Sequence, residues 1–172
     1  YSCIEFERRF LVRAVPANII AGLYRWRILD RYIPGTRLRL RLMKSAAGDQ
    51  VQRKLTQKCS EGLEPTMGTT VTNIYLNEVE YKMFELLGGN EILKYRYVFD
   101  FQAYQLGIDV FGGRHEGLIL AEVEGESDEA LKQLAMPPFV VRDVTADSFF
   151  TGAALAIVDV DELRERLLQE AG

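Results

Sequence analysis

Four short stretches place like charges where one face of a strand would gather them. Side chains at i and i+2 point to the same side of a β-strand. Glu5, Glu7 and Arg9 therefore share a face, opposite Ile4, Phe6 and Phe10. Arg37, Arg39 and Arg41 share another, opposite Leu38, Leu40 and Leu42. Lys54, Thr56 and Lys58 line up likewise, and so do Glu122 and Glu124, opposite Ala121 and Val123. The simple reading is a half-buried sheet with its polar face turned to water. Against it, stacked like charges repel across a sheet, and a solvated face ordinarily mixes signs. Like charges held together by a fold await a ligand of opposite sign. Carboxylates at 5, 7, 122 and 124 suit hard divalent cations bound through oxygen. Arg37, Arg39, Arg41, Lys54 and Lys58 suit several phosphate groups, with each arginine offering bidentate donors. A polyphosphate carrying metal ions satisfies both sets together.

Strands must position these residues, and the period-two alternation predicts them over 3–12, 24–33, 36–43, 51–58, 92–101, 103–111 and 118–125. Pro34-Gly35 and the small polar run at 45–49 read as turns. The period changes over 76–87, where a helix is expected, with Asn77 as N-cap, Glu80 completing a capping box and Gly88-Gly89 ending it. A second helix is expected over 127–134, capped by Ser127, and a third over about 158–171. Closing the sheet into a barrel of about eight strands would turn the charged face inward. The outer, apolar face would then need the three helices as cover. The expected fold is α+β, mainly β: a closed eight-stranded antiparallel barrel, a tunnel with charged interior and flanking helices. No repeat or linker interrupts residues 1–172, which read as one domain.

Composition narrows the partners. The net charge of −4 argues against general nucleic-acid binding, so any basic site must be local. No apolar run approaches the roughly 18 residues of a membrane span, and no leading segment resembles a signal peptide. The opening Tyr1, in place of a methionine, reads as a trimmed N-terminus. Cys3 and Cys59 read as reduced, buried or half-buried thiols, which points to the cytoplasm. The sole histidine, His115, sits in a glycine-rich stretch and reads as a surface loop residue; with no second histidine, a zinc site of the usual composition is excluded. Tyr24, Trp26 and the phenylalanines read as packing in the core or on the barrel exterior.

Glu5-Phe6-Glu7-Arg8-Arg9-Phe10-Leu11-Val12 resembles the N-terminal ExExK signature of CYTH domains, also called triphosphate tunnel metalloenzymes. The rest follows in order. The stretch 36–41 resembles the family's basic second motif, 54–58 its lysine strand, and 75–81 the segment that opens its central helix. Lys94-Tyr95-Arg96-Tyr97 is similar to its Lys-x-Arg-Tyr motif, 108–111 with 117–124 to its metal-binding C-terminal half, and 143–147 to its closing segment. The resemblance runs from about residue 4 to 156 and is to the small stand-alone bacterial type. It implies Mg²⁺ or Mn²⁺ on Glu5, Glu7, Glu122 and Glu124, with Asp109 near the metal. It implies phosphate binding by Arg37, Arg39, Arg41, Lys54, Lys58, Lys94 and Arg96, and a catalytic pair made by Arg9 and Tyr32. The implied activity is hydrolysis of a triphosphate, first of all inorganic tripolyphosphate to pyrophosphate and phosphate. The alternatives are a class IV-type adenylate cyclase or a non-catalytic polyphosphate- or nucleotide-binding module. The implied partner is a small-molecule triphosphate, inorganic or nucleoside, and a homodimer stays open. The chain departs from the pattern at three places. Arg9 stands for the signature lysine, 69–72 lacks the acids many members carry there, and Gly107 stands where a glutamate is common.

Overall fold

A computed structural model describes residues 2–20, 22, 24–59 and 68–171; Tyr1 lies outside them. Among the described residues nine strands and five α-helices follow in chain order. They are β1 (Ser2–Val12), α1 (Ala17–Ile20), β2 (Trp26–Tyr32), β3 (Leu38–Ser45), β4 (Val51–Cys59), β5 (Gly68–Tyr75), α2 (Glu78–Glu85), β6 (Asn90–Phe101), β7 (Tyr104–Gly112), β8 (Ile119–Gly125), α3 (Asp128–Lys132), β9 (Val140–Asp143), α4 (Gly152–Ile157) and α5 (Val160–Ala171). The sheet order is β5-β4-β3-β2-β6-β7-β8-β1-β9, and β5 also pairs with β1. That pairing closes eight antiparallel strands into a barrel, with β9 as one extra strand.

Strand β1 makes the closure by dividing its length. Its first part runs against β5, from Ser2 opposite Thr72 to Phe6 opposite Gly68. Its second part pairs β8 on one edge and, from Phe10 onward, β9 on the other. Between β2 and β3, Gly35 takes a φ of +71°, which a side chain would resist, so the Pro34-Gly35 signal marks a true reversal.

The outer face carries the aliphatic half of the alternation. Leu40 and Leu55 are buried beneath Tyr81 and Phe84 of α2. That helix starts as expected: Asn77 accepts from the Glu80 amide at 3.0 Å, and Glu80 accepts from the Asn77 amide at 2.7 Å. On the opposite wall Phe10, Leu106, Ile108, Ala121 and Val123 lie under Leu131 and Leu134, at and just beyond α3. Each such aliphatic side chain fully removed from water contributes about 1.5–3 kcal/mol.

Three expectations need correction. The C-terminal helix begins at Val160, after a separate short helix, α4. Both pack at one end of the barrel and not on its outer wall. There Leu11, Ile92, Phe111 and Leu120, on the bore-facing parity of their strands, meet Phe150, Leu155 and Leu163 in one cluster. The charged lining therefore gives way to an apolar plug, which the polar-inside rule did not foresee. His115 is the third. It is 1% exposed in a 3₁₀ turn between β7 and β8, and its Nε2 lies 2.7 Å from the Leu155 carbonyl, so it joins that turn to α4. Cys3 and Cys59 are both free and half-buried, as expected. They oppose Val71 and Thr70, neighbours on β5 whose side chains point to opposite faces, so the barrel wall separates the two thiols. Among the described residues no helix is long and apolar enough to cross a membrane.

Candidate functional site

The register carries one side-chain parity around the whole barrel. Arg9 opposes Glu122, Glu122 opposes Gly107, Asp109 opposes Arg96, Lys94 opposes Ile28, Asp30 opposes Arg41, and Arg41 opposes Lys54. All of these positions face the bore. Charges on strands that are not neighbours meet there: Lys58 of β4 lies 3.3 Å from Glu5 and 3.5 Å from Glu7 of β1. The site residues named from the sequence are thus brought together, with one exception. Arg37 precedes β3 and is exposed at the barrel's edge.

The bore is electrically two-sided. On the side of β1 and β8 stand Glu5, Glu7, Glu122 and Glu124. Burial raises the Glu124 carboxyl above its ordinary value, and the negative charges of Glu5, Glu122 and Glu7 add to that. Glu122 differs. Burial alone would raise it too, but Lys94, Arg96 and Arg9 hold it well below the usual carboxylate range. Its oxygens accept from Arg9 Nε at 3.2 Å and from Arg96 Nη2 at 2.7 Å. Arg9 also donates to Glu7. Asp109 is fully buried, and its carboxylate accepts from Lys94 at 2.5 Å and from Arg96 twice at 2.6 Å. It stands behind those cations, while the side chains of Glu5, Glu7, Glu122 and Glu124 are all more accessible than its own. In this arrangement Lys58 and Arg9 draw on Glu5 and Glu7, and among the described residues no three His, Cys, Asp or Glu gather close enough to hold a metal ion.

On the side of β3 and β4 the cations crowd one another. Lys54 has no ion pair among the described residues; burial lowers its ammonium pKa, and the charges of Arg41 and Arg39 lower it further. The Arg39 Nε is buried without a hydrogen-bond partner among the described residues. Its Nη2 reaches the Thr56 hydroxyl at only 3.5 Å, and that hydroxyl donates to Asn73 at 2.8 Å. Lys94 is 6% exposed, and burial pulls its ammonium down despite Asp109 and Glu122.

Reading along the chain missed three features. Asp30 is 2% exposed and clamps Arg41 through two bonds of 2.5 and 2.7 Å. The i, i+2 rule applied to β2 would have found it, two places before Tyr32. Trp26 shares that parity and lines a cavity of about 460 Å³ at the bore's mouth, with Met43, Arg96, Gly107, Glu122 and Glu124; it is not exterior packing. Gly107 has a steric reason for its identity here: a Cβ would stand 3.1 Å from the Arg96 guanidinium, which lies across it to reach Asp109 and Glu122.

Tyr32 is packed against the plug, where a Cβ at Gly152 would overlap its hydroxyl. Burial raises the Tyr32 pKa. Burial would lower that of Arg9, but Glu122 and Glu7 raise it. Both groups hold their protons at neutral pH.

No family model matches this chain. It is 29% identical over 162 residues to an inorganic triphosphatase of Nitrosomonas europaea, a match covering 89% of this chain and 97% of that protein. It is 32% identical over 100 residues to an inorganic triphosphatase of Acetivibrio thermocellus; there the match covers 52% of this chain and 62% of that protein. The fold is similar to the crystal structure of the inorganic triphosphatase NE1496, with a TM-score of 0.57 and 26% identity over 90% of this chain and 95% of that one.

Proposed function

We propose that this chain hydrolyses a triphosphate, inorganic tripolyphosphate first, and that it is a triphosphate tunnel metalloenzyme of the CYTH type. The observation that carries the reading is the two-sided bore. Crowded cations, Lys54 with no ion pair among the described residues and Arg39 with a buried Nε that no hydrogen bond satisfies there, face Glu124, whose pKa burial and the neighbouring carboxylates raise, inside a closed barrel. A linear polyanion relieves the first strain and a hard cation the second. The relatives named inorganic triphosphatases support hydrolysis over the cyclase reading.

The donor set suits Mg²⁺ or Mn²⁺: all-oxygen, carboxylate-rich, and burdened by its own charge at Glu124. Glu5, Glu7 and Glu124 would hold the ion, with Glu122 at their edge. A bound divalent ion supplies neutralisation of phosphate oxygens and a water of lowered pKa. The chain's own groups do the rest. Lys54, Lys58, Arg39, Arg41, Lys94 and Arg96 hold the phosphates in line and stabilise charge that develops on the transferring group. Asp109 fixes the Arg96 fork. Arg9 and Tyr32 cannot accept the proton of the attacking water, since both keep their own. Arg9 orients Glu7 and Glu122, and Tyr32 offers a hydrogen-bond donor at the bore's inner end. The attack forms a bond from water oxygen to the terminal phosphorus and breaks its bridging P–O bond; the released phosphate keeps one proton of the water and the pyrophosphate leaving oxygen takes the other.

The test is phosphate release from tripolyphosphate with Mg²⁺ or Mn²⁺, read by malachite green. Wild type should turn over and Glu7→Gln should lose most of that rate. Equal background rates for the two proteins would remove the catalytic reading, and formation of cAMP from ATP would replace it with cyclisation.

A further inference from the structure

We infer that Asp30 is a built-in counter-anion, a positioning residue that keeps the phosphate-binding cations assembled and aimed while the tunnel is empty. This inference rests on the phosphate-site reading above. Asp30 is a carboxylate within a cluster of cations. Arg41 donates to both of its oxygens, at 2.5 and 2.7 Å, and the Arg39 Nε stands 3.8 Å away. Lys94, at the end of the same run of bore-facing positions, adds to the positive field that Asp30 experiences. Burial alone would raise the Asp30 carboxyl; Arg41 and Arg39 overcome it and hold the group fully ionised.

Its position also excludes the other two roles open to a bore carboxylate. It stands on β2 opposite Arg41, across the barrel from Glu5, Glu7 and Glu124, so it is not in the acid group. It is 2% exposed, with both oxygens engaged, so it offers no oxygen to water. What remains is support. Without Asp30, Arg39, Arg41 and Lys54 would share one side of a low-dielectric bore with no carboxylate bonded to any of them among the described residues, since Asp109 is engaged by Lys94 and Arg96. Cations so placed move apart, and a site whose donors must be gathered by the substrate loses preorganisation. The clamp uses the Nε and Nη2 atoms of Arg41, which fixes the plane of that guanidinium and leaves its Nη1 edge without a hydrogen bond among the described residues.

The test is Asp30→Asn, which keeps the shape and removes the charge. Two readouts separate positioning from mere framework support. In EDTA, metal-free tripolyphosphate should raise the melting temperature of Asp30→Asn by more than it raises that of wild type, because the bound anion replaces the missing charge. In kinetics, kcat for phosphate release should fall about tenfold or more while KM does not rise, since the bore gains net positive charge but loses its fixed geometry. A KM that rises with kcat unchanged, or an anion-induced shift no larger than that of wild type, overturns the inference. Should Asp30→Asn fail to fold, the Asp30→Asn/Arg41→Gln variant, which removes both members of the pair, should fold; if neither does, Asp30 is a framework residue and the inference falls. Failure of wild type itself to release phosphate would sink the functional reading, and it is distinct from all of these outcomes.

Discussion

Lys54→Met separates function from stability, because the structure gives the two effects different sizes. Lys54 is partly buried in mid-β4, forms no ion pair among the described residues, and is repelled by Arg41 and Arg39. Its ammonium lies 5.4 Å from the Tyr75 ring. Losing that cation–π contact costs about 0.5–1 kcal/mol. Relief of the repulsion offsets part of it, and methionine preserves the length of the stem. Net stability should stay within about 1 kcal/mol of wild type, a melting shift of less than about 4 °C for a domain of this size. Activity should respond differently. Loss of one preorganised charge at the transferring phosphoryl group costs about 3–4 kcal/mol, so kcat/KM for tripolyphosphate should fall about 10²- to 10³-fold. Arg41→Met makes the contrast: it strands the buried Asp30 carboxylate, and breaking such a pair costs about 3–5 kcal/mol of stability. The assays are phosphate release and thermal unfolding by circular dichroism. A Lys54→Met protein with wild-type kcat/KM, or one melting more than about 8 °C lower, would refute this account of the cation cluster.

Two further outcomes follow from the plugged end. Burial, with the Arg114 charge, lowers the His115 pKa despite the bond to the Leu155 carbonyl. The unfolded chain therefore binds this proton more readily, and stability from His115 should be lost as pH falls below about 6.5. Thermal melts from pH 7.5 to 5 should show a drop that His115→Gln diminishes, and identical slopes would contradict it. Gly152→Ala drives a methyl into the Tyr32 hydroxyl. It should cost about 1–3 kcal/mol as overpacking and lower kcat through Tyr32, which paired unfolding and phosphate-release measurements on the variant would check.

The barrel was legible because most charges in the patterned stretches fall on one parity, with Arg8 and Arg53 as outward exceptions. Arg-Leu alternation in β3 and Glu alternation in β1 and β8 each state which face is inside, and closure follows from like charges needing company of the other sign. What escaped was set by contacts distant in sequence. The inward Leu11, Ile92, Phe111 and Leu120 read locally like any other strand residue, and only Phe150, α4 and α5 packed against them make a plug. His115 looked solvated beside glycines, yet a carbonyl forty residues onward buries it. Asp30 was passed over because it is a single acid among mixed neighbours, and its meaning comes from Arg41 on the next strand. Trp26 was assigned by residue type when its parity with Asp30 already placed it at the mouth.

The division of β1 between early and late partners has a consequence for how the protein is made. Residues 6–11 pair with 120–125, and Phe10 and Leu11 pair with Asp143 and Arg142, so β1, made before the other eight strands, is among the last to complete its pairing. The β2–β3–β4 meander can form while synthesis continues, but it then displays its arginines and lysines to water until β1 is fixed against β5 and β8, and the β1–β8 pairing joins residues more than a hundred apart in sequence. Pairings of that range are slow. Ionic strength during refolding should therefore govern the yield of closed barrel more than it governs the stability of the finished one, since it screens a half-built wall that has no partner yet.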